Sequence, residues 1–156
     1  MKTGIHSLLF TLLLISFPNQ TAEKITTERI NGILCTNDKE WSRYLSNSQP
    51  WVPTKEQVLA TEQVLESYLK TTPHSEYVMW KKADRLRLWE KLGSYKRQYY
   101  GCIHKGKELI YCNLYCDNTP LSCDPVDVDD GGDCYIRVLF DVKAKKVMIF
   151  HRNGKA

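Results

Sequence analysis

Five of the six cysteines in this chain fall between Cys102 and Cys134, and the sixth, Cys35, stands alone near the start. No other feature restricts the fold as much, because each cysteine that forms a bridge ties its segment to one particular neighbour. Whether bridges form depends on compartment, and the N-terminus bears on that. Lys2 precedes an apolar run from Leu8 to Phe17 (LLFTLLLISF). A helix of that length reaches about half of a ~30 Å hydrocarbon core, so it reads as the h-region of a signal peptide and not as a membrane span. Pro18 ends the run and cleavage is expected after Ala22, although Gln20 is bulkier than the small residue usual at that point. A lipid-anchored form would need a cysteine directly after the run, and the first is Cys35. The expectation is a signal peptide over 1–22 and one domain over 23–156, secreted or periplasmic, with no transmembrane segment once the signal is removed. In such a compartment an even number of cysteines reads as disulfides, so Cys35, Cys102, Cys112, Cys116, Cys123 and Cys134 form a set of bridges with the pairing open. The competing metal reading rests on Cys112 and Cys116 alone. It lacks a second matched pair, so no metal or cofactor is expected.

Composition narrows the class. With 42% hydrophobic and 26% charged residues the chain is globular and not disordered. Its net charge of +4 is spread along the sequence, without the concentrated basic patch of a nucleic-acid binder.

Periodicity divides the domain into helices and then strands. Asp38 to Leu45 has room for two helical turns, with Trp41, Tyr44 and Leu45 on one face. Thr54 and Gln57 form a Thr-x-x-Gln capping box after Pro53, and Val58, Leu65, Tyr68 and Leu69 recur at helical spacing before Pro73. Residues 76–92 can form a further helix between Ser75 and Gly93, though Val78, Trp80, Leu86, Trp89 and Leu92 make no clean stripe. The period then changes to two. Ser94–Ile103 and Glu108–Cys116 read as a hairpin around His104–Lys107, and Cys134–Asp141 and Lys146–His151 read as another around Val142–Lys145. Between the hairpins, residues 117–132 form a loop dense in Asp, Pro and Gly. The expected fold is α+β, with one or two N-terminal helices packed on a four-stranded antiparallel sheet and stapled by disulfides.

The strands also carry a resemblance. Tyr95-Lys96-Arg97-Gln98-Tyr99-Tyr100-Gly101, Gly106-Lys107, Ile110-Tyr111-Cys112-Asn113, Gly131-Gly132-Asp133-Cys134-Tyr135 and Asn153-Gly154 occur in the order seen in a family of small exported bacterial proteins that brings no activity with it. The resemblance spans about residues 50–156. It implies a shared scaffold in which Cys116 and Cys134 are bonded, with Cys102, Cys112 and Cys123 as additions and Lys155 where an acidic residue is expected. That bond is physically sensible too, since the two residues sit at the end of one strand and the start of another.

Candidate chemistry is sparse. In the acidic loop from Asp124 to Asp133, setting Gly131 at the sixth position of an EF-hand puts Val126 and Val128 at positions one and three, so the calcium template fails. The loop reads as a solvated turn. His6 leaves with the signal, His74 follows a proline, His104 reads as a solvated turn residue and His151 ends the last strand. No Gly-x-Ser-x-Gly stretch accompanies them. Glu56, Glu62 and Glu66 read as a solvated helical face. Tyr95 and Tyr99 are expected to pack under the helix, with Lys96 and Gln98 pointing to water. No catalytic, cofactor or metal residues are assigned. A small stapled domain of this kind is expected to bind another protein, as an inhibitor or immunity-type factor does. The alternative is a small secreted hydrolase or toxin with a site assembled from distant residues.

Overall fold

The computed structural model describes residues 22–36, 45–71 and 82–154. The expected signal peptide and most of the turns expected at Asp38–Leu45 lie outside them, as does the first part of the helix expected over 76–92. Seven strands form a single sheet: β1 (Glu23–Thr26), β2 (Asn31–Cys35), β3 (Gln49–Pro50), β4 (Lys96–His104), β5 (Lys107–Tyr115), β6 (Tyr135–Asp141) and β7 (Lys146–Arg152). Helices α1 (Lys55–Thr71) and α2 (Lys82–Lys91) precede β4, and short 3₁₀ turns occupy Leu92–Ser94 and Gly132–Cys134.

The α+β class holds, but the four-stranded antiparallel sheet is corrected to a seven-stranded mixed one. β4 to β7 are the expected antiparallel hairpins; β2 adds to the free edge of β4 in parallel, β1 folds back on β2, and β3 pairs with the far end of β4. These extra strands escaped sequence reading for physical reasons. β3 has two residues, β1 shows a single buried side chain, Ile25, and β2 is buried on both faces, so none of them alternates. β3 also requires Gly101, where any Cβ would lie 2.3 Å from the Trp51 carbonyl oxygen.

The capping box sets α1. Thr54 N–H donates to Gln57 Oε1 at 2.8 Å and Gln57 N–H donates back to Thr54 Oγ1 at 3.3 Å. Val58, Leu65 and Leu69 then bury against Tyr99, Ile110, Cys112, Ile136, Val138 and Phe140 of the sheet. At the rim Tyr68 stacks on Phe150 with ring centroids 5.4 Å apart. The second cluster, Ile33, Cys35, Tyr100, Cys102, Leu109, Tyr111 and Leu139, sits on the side of the sheet opposite α1. Two bridges are present, Cys35–Cys123 and Cys116–Cys134, with Cα atoms 5.5 and 5.0 Å apart. Cys102 and Cys112 are buried thiols. They cannot meet, because one belongs to the helix-side cluster and the other to the back.

Candidate partner-binding surface

The back of the sheet is where the loop between the hairpins goes, and polar side chains of the strands hold it there. Lys96 Nζ donates to the carbonyls of Asp117 (2.9 Å) and Thr119 (2.7 Å). Gln98 Nε2 donates to those of Ser122 (2.8 Å) and Asp124 (2.6 Å), Asn113 Nδ2 to Val126 (2.8 Å), and Tyr115 OH to Pro120 (3.2 Å). Arg137 donates to Val128 O and, as an ion pair at 2.9 Å, to Asp127; Asn153 Nδ2 reaches Val128 O and Asp130 O. A segment with no ladder of its own therefore has its carbonyls satisfied one after another by long-range donors. The Cys35–Cys123 bridge fastens its middle and Cys116–Cys134 its ends. Gly131 takes a positive φ of 105°, and a Cβ there would sit 2.5 Å from the Tyr135 ring.

This strap corrects several expectations. Lys96 and Gln98 do not point to water. They are, with Asn113, the pins of the strap. The acidic loop is not a freely solvated turn, and three of its carboxylates face separate partners: Asp127 meets Arg137, Asp133 meets Arg152, and Asp124 accepts from Ser122 Oγ at 3.2 Å. Burial alone would raise Asp117, but hydrogen bonds from Tyr135 and Thr119 and the Lys96 charge outweigh it and hold the carboxyl below the ordinary range.

On the helix side, Tyr95 and Tyr99 are buried beneath the helices as expected, and burial with the nearby Asp133 charge pushes Tyr95 up to about 12. Glu62 is not on a solvated face. It is 5% exposed, and its Oε1 accepts from Tyr99 OH at 2.6 Å and lies 3.0 Å from Arg97 Nε, off the line of a hydrogen bond. Arg97, 1% exposed, gives its remaining nitrogens to the carbonyls of Tyr95 and Leu92. A signal was available here: position 62 lies on the same helical stripe as Val58, Leu65 and Leu69, so a carboxylate there had to be buried. Nearly every polar residue of the strand pattern quoted for the resemblance thus has an internal task.

Groups of possible catalytic type are also occupied. His104 is half-buried, not fully solvated, with Nδ1 2.8 Å from Ser48 Oγ. The same hydroxyl lies 2.8 Å from the Leu45 carbonyl oxygen, so the pair ties the turn before β3 to the end of β4. Burial pushes Cys102 up to about 11; burial, then the Glu62 charge, lifts Cys112 despite Arg97. Nucleophilic thiols need the opposite shift.

Among the described residues, nothing occupies the other half of the back face. The strap covers the Lys96–Gln98 end of β4 and the Asn113–Tyr115 end of β5 and stops at Arg137. Beyond it lies a hollow of about 260 Å³ lined by Leu45, Tyr111, Val138, Leu139 and Ile149, with Arg137 and His151, a cross-strand pair, completing the wall. Ile149 is 49% exposed and Met148 46%, two of the three large apolar side chains left exposed among the described residues. Both belong to β7, the terminal strand of the sheet, whose only strand partner among the described residues is β6. Met148 is the extra residue of a bulge, between the pairs Leu139–Ile149 and Phe140–Val147. In the sequence, the apolar residues of β7 carry no signal that separates them from core.

Searches of protein-family models, curated proteins and solved structures found no match to this chain. No helix among the described residues is long and apolar enough to cross a membrane.

Proposed function

We propose that this chain is an exported, disulfide-stapled binding protein that recognises another protein through β7 and the open half of its back face, in the manner of an inhibitor or immunity-type factor. One observation carries the reading: two of the three exposed large apolar side chains among the described residues, Met148 and Ile149, stand together on one edge strand beside an apolar hollow. Such patches mark interaction sites. Export is supported by the N-terminal apolar run and by two disulfides. The hydrolase or toxin reading has less behind it, since among the described residues His151 lines the hollow with no carboxylate beside it.

A photo-crosslinking residue placed at position 149, and in a second strain at position 119 on the strap, tests this in the producing cell. Discrete products from 149 and none from 119 are expected. Products from 119 alone would contradict the proposal.

A further inference from the structure

The edge of β7, which pairs with no further strand among the described residues, is flanked by hollows on both sides of the sheet. On the back is the apolar one beside Ile149. On the helix side, between α1 and β7, is another of about 350 Å³ lined by Val64, Tyr68, Thr71, Val147, Lys145 and Lys146. Successive side chains of a β-strand point to opposite faces, so a strand added to β7 would send alternate residues towards one hollow and then the other. A helix or a compact surface has no such alternation to offer.

The two hollows ask for different chemistry. The back is apolar. The helix side carries Lys145 and Lys146, with Lys143 in the same turn, and none of the three has an ion pair among the described residues. Asp141 beside them is already taken by Lys107 at 3.1 Å. Past the bulge at Met148, Ile149 to Arg152 forms the regular stretch available for pairing.

From these placements, and resting on the binding reading above, we infer that the partner supplies an extended segment that adds to β7 as a further strand, its residues alternating between apolar side chains for the back hollow and Asp or Glu for the lysines. The charge also decides against a second copy of this chain. Pairing two β7 strands antiparallel about Ile149 would set Lys146 opposite Arg152 of the other copy, like charge against like, at both ends.

A phage-displayed library of random peptides, selected on the oxidised protein, tests the inference. The enriched peptides should alternate apolar with acidic residues. One of them, added to labelled protein, should shift the amide resonances of residues 149–152. Ile149→Lys should weaken it by about tenfold or more, and the pair Lys145→Glu and Lys146→Glu should do the same while allowing a peptide with Lys in place of Glu to bind. Basic or helix-patterned peptides, shifts confined to other strands, or concentration-dependent self-association through β7 would overturn the inference. Failure to enrich any peptide while position 149 still crosslinks a partner would overturn the strand mode and leave the binding reading standing; loss of both would end both.

Discussion

The two halves of the sheet's back face are built from the same alternating strands and do opposite things. Over the strapped ends of β4 and β5 the back-facing side chains Lys96, Gln98, Asn113 and Tyr115 are polar, and each is consumed in holding the strap. Over β6 and β7 they include Leu139 and Ile149, and nothing described covers the hollow between them. Polarity on a strand is thus no guide to exposure. The side chains that look made for recognition are structural, and the ones that look like core are those on offer.

Breaking the strapped half should have the largest effect. The Cys35–Cys123 bridge joins segments 88 residues apart, and replacing both with serine should cost about 4 kcal/mol by the loop-entropy argument, read by urea unfolding. Thiol titration provides a check on the framework: Cys102 and Cys112 should react only after unfolding. Next comes Gln98→Ala, which strips the Ser122 and Asp124 carbonyls of their donor and should cost about 3 kcal/mol while leaving the helix side intact.

Acid should loosen the same half. Asp117 titrates below the ordinary carboxylate range in the folded protein, so its contribution is complete above the unfolded value near 3.9 and disappears as pH falls through the lowered one. Between about pH 5 and pH 2 the wild type should lose more stability than Asp117→Asn, measured by urea midpoints at each pH. Equal losses would remove Asp117 from the strap's anchors. The smallest effect on stability belongs to the open half: Ile149→Lys, at a site 49% exposed, should change unfolding by no more than about 0.5 kcal/mol.

How much of this was legible beforehand follows from the range of each interaction. The cap of α1 and the β4–β5 and β6–β7 hairpins depend on neighbours within a few residues, and period and turn chemistry revealed them. β1 to β3 are too short or too fully buried to alternate. Most strap pins join residues well apart, such as Lys96 with Thr119, 23 apart, and Gln98 with Asp124, 26 apart, and no local pattern announces a donor whose acceptor is a distant carbonyl. Glu62 was the exception, readable from its place on the apolar stripe. Ile149 was not, because an edge position depends on which strand happens to end the sheet.

The division of the back face is tested most directly by measuring melting temperature and partner retention together for Ile149→Lys and Gln98→Ala. The first should melt with the wild type and release the partner; the second should melt lower yet, below its transition, retain it. If Ile149→Lys keeps the partner while Gln98→Ala loses it in the folded state, the strapped half is the recognition surface and the assignment made here is reversed.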